Sequence, residues 1–232
     1  MSLTPLRIAW LLTTVFGAAL GCSKPAETPL SIREVESKTE NNRTIAPDIN
    51  ISRAAEFMGS RASGKRFCII ADASNSMRKG SFAQAKAEIM KTISSLDESS
   101  EFYVIFFNAN AIRMPCSTWL SGGKESINKI RPWIQGVETA LMTDPRPAFD
   151  IAFQLEPKPD AIFFMTDGFL HGKNPDPVTH VRRLNMSEPK VPIHTLMFDK
   201  ANKVGKKSPA EAAAQLRRIA TESGGTFRHV RD

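Results

Sequence analysis

Residues 67–77 read Phe67-Cys68-Ile69-Ile70-Ala71-Asp72-Ala73-Ser74-Asn75-Ser76-Met77 and are the strongest indication of fold in the chain. An apolar run ends at Asp72, and Ser74 and Ser76 follow at alternate positions. This pattern predicts a buried strand that leaves its sheet into a short loop carrying one carboxylate and two hydroxyls. The loop offers only hard oxygen donors, without a thiolate or an imidazole. Such a donor set favours Mg²⁺ or a similar hard cation over zinc or copper.

Predicted strands and helices alternate along the rest of the domain. The strands are predicted at 66–71, 102–107, 161–165, 193–198 and 226–230, with a short edge strand at 111–114. The helices are predicted at 81–96, 126–134, 144–155 and 177–184, followed by one from Ser208-Pro209 to Gly224-Gly225. Ser81 and Gln84 are interpreted as a capping box, and Pro132 is expected to bend or end its helix. The alternation predicts an α/β fold, a Rossmann-like doubly wound, mostly parallel sheet with helices on both faces and one short antiparallel edge strand.

The amino-terminal region differs in composition from the rest of the chain. Residues 1–22 carry Arg7 and then an apolar run from Ile8 to Leu20, which is shorter than the roughly 20 residues that a spanning helix needs. The run fits an export signal, and its end at Gly21-Cys22 resembles the lipobox of bacterial lipoproteins, with Cys22 as the lipidated residue. An ordinary cleaved signal and an uncleaved anchor helix are the alternatives.

Three regions are therefore predicted: a lipoprotein-type signal at 1–22, a flexible tether at 23–52 and one folded domain at 53–232. The tether is rich in Glu, Lys, Asn, Thr and Pro and shows no sustained hydrophobic period. This organisation predicts an exported, membrane-anchored protein that faces the periplasm or the cell exterior.

The charge of the chain bears on its partners, and its cysteines bear on disulfide pairing. The net charge is +7, but lysine and arginine are spread along the chain without a compact basic run. We therefore expect a solvated surface and no nucleic-acid partner, although an acidic partner stays open. Cys68 and Cys116 either pair in an oxidising compartment or stay free, with Cys68 as a small buried hydrophobe. The histidines lack metal-ligand spacing and are expected at surface or packing positions.

Two further segments carry the same oxygen chemistry. Asp167 follows the predicted strand 161–165, and Thr143 lies in a loop that enters a helix. In a doubly wound parallel sheet these strand ends converge, because the loops at the carboxyl ends of the strands form one crevice. The candidate donors to a single cation are Asp72, Ser74, Ser76, Thr143 and Asp167. The competing interpretation is that these residues are only helix caps and turns.

The three segments, in this order, resemble the motifs of von Willebrand factor type A (VWA) domains. Asp72-x-Ser74-x-Ser76, Thr143 and Thr166-Asp167-Gly168 match the three parts of that family's metal-ion-dependent adhesion site. The resemblance implies that Ser74 and Ser76 bind Mg²⁺ directly, with Mn²⁺ or Ca²⁺ as alternatives. It also implies that Thr143 binds when a partner is engaged, while Asp72 and Asp167 act mainly through water.

The same resemblance implies a protein partner that offers an acidic side chain to the metal. Residues 57–59 and 143–147 are similar to a bacterial, planctomycete-like subgroup. Two residues depart from the family pattern, because Asn75 and Met142 each replace a glycine. Asparagine tolerates left-handed backbone, whereas methionine does not, so the mobility of the Thr143 loop is left open.

We therefore expect a non-catalytic, membrane-tethered, divalent-cation-dependent protein-binding module for adhesion or assembly. The alternatives are a Mg²⁺-dependent hydrolase or phosphotransferase and a structural domain with a vestigial metal site. A phosphotransferase of the haloacid dehalogenase type would need an aspartate where Ser74 stands. The sequence also lacks a Gly-x-Ser-x-Gly elbow and a Gly-x-x-x-x-Gly-Lys phosphate loop.

Overall fold

The computed structural model describes residues 53–78, 80–168, 170, 176–198 and 209–230. The predicted signal at 1–22 with Cys22, the tether at 23–52, His171 and the capping residue Ser208 lie outside the described residues. No helix within the described ranges is long and apolar enough to cross a bilayer.

Nine strands occur in the described residues. In chain order they are β1 (Ala54–Phe57), β2 (Ser60–Ser63), β3 (Arg66–Asp72), β4 (Glu101–Phe107), β5 (Ala111–Arg113), β6 (Leu120–Ser121), β7 (Ala161–Thr166), β8 (Ile193–Phe198) and β9 (Phe227–Val230). Five α-helices accompany them: α1 (Ser81–Ser95), α2 (Lys124–Gly136), α3 (Arg146–Gln154), α4 (Pro177–Leu184) and α5 (Pro209–Ser223). A 3₁₀ turn at Asn75–Arg78 follows β3.

The main sheet has the order β5-β4-β3-β7-β8-β9, and β6 also pairs with β4. Neighbours among β3, β4, β7, β8 and β9 run parallel. The short strands β5 and β6 run antiparallel to β4. The predicted fold class is confirmed, with β6 as a second short antiparallel strand. The β1–β2 hairpin, which forms a separate two-stranded sheet, was not predicted.

The core lies on both faces of this sheet because the central strands are buried along their length. All residues of β7 and β8 are buried, as are all but the first residue of β3 and of β4. Adjacent residues of β7 point to opposite faces: Phe163 packs on Phe57 of the hairpin at 5.6 Å, and Phe164 packs on Phe149 of α3 at 4.9 Å between ring centroids. Continuous apolar strands are typical of parallel sheets that helices cover on both sides.

Two helix details differ from the sequence prediction. Gly80, not Ser81, is the N-cap of α1, and its φ of 94° suits glycine alone. Ser81 is buried as the first helical residue, so the predicted capping box is wrong. Pro132 does not end α2, which continues to Gly136 and buries Ile134 two residues before its end, whereas a bend at Pro132 stays a prediction.

Cys68 and Cys116 are both free. Cys68 is fully buried in β3, and burial raises the pKa of its thiol far above the ordinary value. It therefore packs as a small apolar side chain.

Candidate metal centre

The candidate site lies where the winding of the sheet reverses. From β3 the chain crosses through α1 to β4 on one side, whereas β7 pairs with β3 on the other side. The carboxyl ends of β3 and β7 are therefore adjacent, as the register Ala71↔Met165 shows. Such a reversal opens a crevice at the carboxyl edge, which is the usual binding position in open α/β sheets.

Asp72 organises this edge through both of its carboxylate oxygens. Its Oδ1 accepts a hydrogen bond of 2.7 Å from the backbone N–H of Ser74, which shapes the loop after β3. Its Oδ2 accepts a hydrogen bond of 2.5 Å from the hydroxyl of Thr166, at the end of β7. Asp72 is fully buried. The Asp72 carboxylate, at the end of β3, thus connects the loop after β3 to the end of β7.

The two serines continue the contacts toward Asp167. The hydroxyls of Ser74 and Ser76 are 2.8 Å apart and hydrogen-bonded. The Ser76 hydroxyl donates to Oδ1 of Asp167 at 2.8 Å. Asp167 and Ser74 are buried, whereas Ser76 is exposed at the rim. Four of the five predicted donors therefore lie within one hydrogen-bonded cluster.

Thr143 is brought to the same edge by the backbone on either side of it. Ala140 forms a parallel bridge with Ser74, in which the Asn75 N–H donates to the Ala140 carbonyl at 2.7 Å and the Ala140 N–H donates to the Ala73 carbonyl at 2.9 Å. On the other side, the Asp144 N–H donates to the Asn108 carbonyl at 2.7 Å. Thr143 itself is buried.

The electrostatics of the site favour a bound cation. Burial raises the pKa of Asp72 to about 6, against hydrogen bonds from Ser74 and Thr166 that lower it, and the charge of Asp167 raises it further. The charge of Asp167 therefore acts against the ionised form of Asp72. A positive ion would relieve that effect.

The donor chemistry fits a hard divalent cation. Every candidate donor is a carboxylate or hydroxyl oxygen, the ligand type that Mg²⁺ and Ca²⁺ take in proteins. No group of three or more His, Cys, Asp or Glu side chains in the described part of the chain is arranged to hold a metal. A cation at this edge would consequently depend on the serine and threonine hydroxyls as well as on the two carboxylates.

Two residues of the site escaped the sequence prediction. Thr166 lies inside the third motif. Its hydrogen bond to Asp72 forms only because β3 and β7 are neighbours in the sheet, and no local sequence pattern predicts that pairing. Asn108 follows β4, is buried, and joins the Asp144 backbone to this edge. The only local signal for either was a polar residue at the end of an apolar strand.

The fold and the site together define an open-sheet α/β protein with an oxygen-rich site at its switch point. The chain has the fold of VWA domains. It is similar to a solved von Willebrand factor type A structure from Catenulispora acidiphila, with 17% identity and a TM-score of 0.59, over 75% of this chain and 40% of that one. It is also similar to the BatB protein of Bacteroides thetaiotaomicron, with 16% identity and a TM-score of 0.53, over 73% of this chain and 91% of that one.

A third similar structure carries a metal. It is the proximal thread matrix protein 1 of the mussel byssus with a zinc-occupied metal-ion-dependent adhesion motif, at 16% identity and a TM-score of 0.53, over 71% of this chain and 41% of that one. This chain thus spans well under half the length of two of the three structures. No protein-family model and no curated protein sequence matches it.

Proposed function

We propose that this protein is a divalent-cation-dependent protein-binding module for adhesion or assembly and is not an enzyme. The observation that carries the proposal is the cluster of Asp72, Ser74, Ser76 and Asp167 at the switch point. An ordinary capping turn would not bury two carboxylates beside one another. The VWA fold of the chain, and the metal in one protein of that fold, support the same function.

Each donor has a role in this proposal. Ser74, Ser76 and, on partner binding, Thr143 contact the cation, while Asp72 and Asp167 hold its water ligands. The cation supplies electrostatic attraction for a partner's carboxylate. Asp72 also holds the loop in shape, because it accepts the Ser74 N–H and the Thr166 hydroxyl.

Mg²⁺ is the proposed cation, with Mn²⁺ or Ca²⁺ as alternatives. The all-oxygen donor set supports this choice over a softer metal. Zinc in the mussel protein is a property of that protein, and it identifies zinc as the ion to include in a competition experiment.

We further propose display on the outer side of a membrane through lipidated Cys22. The apolar run from Ile8 to Leu20, which ends at Gly21-Cys22, supports this arrangement.

Cation binding is tested by calorimetry and thermal unfolding of the full chain with Mg²⁺ and with EDTA. We expect wild type to bind Mg²⁺ and to gain about 2.7 kcal/mol of stability at a concentration 100 times Kd. Ser74→Ala should lose both effects because it removes a ligand. Ser94→Ala, at an exposed position of α1, is the matched control and should keep them. Equal Mg²⁺ responses in the two variants would refute the proposed site.

The enzyme alternative has its own test. Phosphatase turnover that requires Mg²⁺ and disappears in Asp72→Asn would establish a hydrolase in place of the binding module.

A further inference from the structure

Three consecutive apolar residues next to the candidate site are exposed. They are Ala140, Leu141 and Met142, called here the 140–142 run, and they directly precede Thr143. Leu141 is 73% exposed and Met142 is 59% exposed. Adjacent apolar residues on the surface do not stabilise the core, and they favour association with another apolar surface. Their position therefore indicates a binding partner.

The backbone holds the 140–142 run in a fixed and strained position. Met142 has a φ of 76°, which side-chain-bearing residues disfavour. The run begins at Ala140, which is bonded through its N–H and its carbonyl to the loop that carries Ser74. Strain of this kind persists at sites where the local geometry serves a function. The apolar surface therefore begins at a backbone bridge to the loop that carries Ser74.

A positive charge stands at the same rim. The exposed Arg78 donates from Nη2 to the side chain of Asn75 at 3.0 Å and from Nε to the hydroxyl of Thr139 at 3.5 Å. Both acceptors are neutral, so neither of these two bonds pairs the guanidinium with a carboxylate. Thr139 directly precedes the 140–142 run, and Asn75 lies between the two site serines. The rim thus has an apolar part and a cationic part around one loop.

We infer that the 140–142 run and Arg78 select the partner. The partner would be an acidic peptide segment in which the residue that reaches the cation has a large aliphatic neighbour and a second carboxylate close by. The aliphatic side chain would cover Leu141 and Met142, whose flexible thioether adapts to different shapes. The second carboxylate would pair with Arg78. This inference deepens the proposed function and rests on it.

The experiment uses fluorescent heptapeptides of alanine with a central aspartate. One set has leucine on either side of the aspartate, and another adds a second aspartate two or three residues away. Anisotropy with the full-length protein in Mg²⁺ should show the leucine peptides binding roughly tenfold more tightly than the alanine peptide, because a leucine side chain becomes buried. The second aspartate should add several-fold, and added salt should reduce that gain.

Variants assign each preference to its residues. Leu141→Ala combined with Met142→Ala should reduce the leucine preference to less than twofold. Met186→Ala, at a methionine that is 71% exposed and lies beyond α4, is the matched control and should keep the preference. Arg78→Gln should remove only the gain from the second aspartate.

Mg²⁺ calorimetry on the same proteins separates this inference from the proposed function. If the wild type takes up no Mg²⁺, the proposed function fails. If Mg²⁺ binds but leucine brings no gain, or no peptide binds, the inference alone is overturned. A leucine preference that survives in EDTA would also overturn it, since the surface would then act without the cation.

Discussion

Met142 combines two unfavourable features in one residue. Its φ of 76° lies in the left-handed region, and 59% of its side chain is exposed to solvent. Left-handed backbone costs a residue with a Cβ on the order of 1 kcal/mol. Because the Met142 side chain is exposed, it gains no packing energy that would offset this cost. The chain nevertheless keeps this geometry beside Thr143, so the loop does not need glycine to reach its conformation.

We expect Met142→Gly to stabilise the protein by roughly 0.5–1 kcal/mol. Relief of the left-handed strain should exceed the greater conformational entropy that glycine gains in the unfolded chain. Urea unfolding in EDTA measures the change without a contribution from metal binding. Leu141→Gly is the neighbouring control, at an exposed residue whose φ is not positive, and it should destabilise. If both glycine variants shift stability in the same direction, backbone strain at Met142 is not the cause.

Residues of the site were foreseen where the signal was local. Asp72, Ser74 and Ser76 stand on one loop after an apolar run, and Asp167 repeats the pattern after another. The structure joins these four by hydrogen bonds, whereas their role as metal ligands stays a prediction. Thr166 and Asn108 were not foreseen, since their contacts depend on which strands become neighbours.

At the scale of elements, α4 and α5 are joined by a charged cluster at the amino-terminal edge of the sheet. Glu222 of α5 accepts two hydrogen bonds from Arg182 of α4, at 2.8 and 2.7 Å, and one of 2.9 Å from Arg218. The bonds from Arg182, assisted by Arg218, hold the pKa of Glu222 at about 2, below its ordinary value of 4.5, although partial burial acts in the opposite direction. The cluster therefore stabilises the helix pair only while Glu222 is ionised.

We expect Glu222→Gln to lower the free energy of unfolding at pH 7 by at most about 1 kcal/mol, because solvent screens the partly exposed pair. A depressed pKa in the folded state contributes stability above pH 4.5 and loses it as the pH falls from 4.5 toward 2. Urea unfolding of wild type and variant at pH 7, 5 and 3 should show the gap shrinking only between the last two. A gap as large at pH 3 as at pH 7 would contradict this assignment.

Strands and helices were predicted well where the sequence has a long run or a sustained periodic pattern of apolar residues. They were predicted poorly where a single residue or one distant contact determines the local structure. The strand β7 was predicted from an unbroken apolar run at 161–165, and β8 from a mostly apolar segment at 193–198. The hairpin strand β2, Ser60–Ser63, has no such run and is held by tertiary contacts, among them the hydrogen bond of Ser60 to Thr226 at 3.0 Å. The error at the start of α1 arose because Gly80 takes the capping position through backbone geometry alone.

At the scale of the whole molecule, the sheet divides the core into two layers. The hairpin, α1 and α2 contribute to one layer, in which Phe106 of β4 contacts Phe82 at 5.8 Å and Trp133 at 5.5 Å. The other layer includes Phe149 of α3 and Phe164. The central strands β3 and β7 belong to both layers and end at the candidate site. The burial that stabilises the fold therefore also positions the candidate donors.

This layered arrangement predicts a gradient of mutational cost from the central strands to the edge. Ile70 of β3 is fully buried between β4 and β7, where it is paired with Ile105 and Phe164, so Ile70→Ala should cost about 3–4 kcal/mol by leaving a cavity. Ile112 of the edge strand β5 is only partly buried, and Ile112→Ala should cost about 1 kcal/mol. Urea unfolding of both variants in EDTA measures the difference. If the two variants lose equal stability, β5 contributes to the core as much as β3 does, and the edge position cannot be what limits its packing.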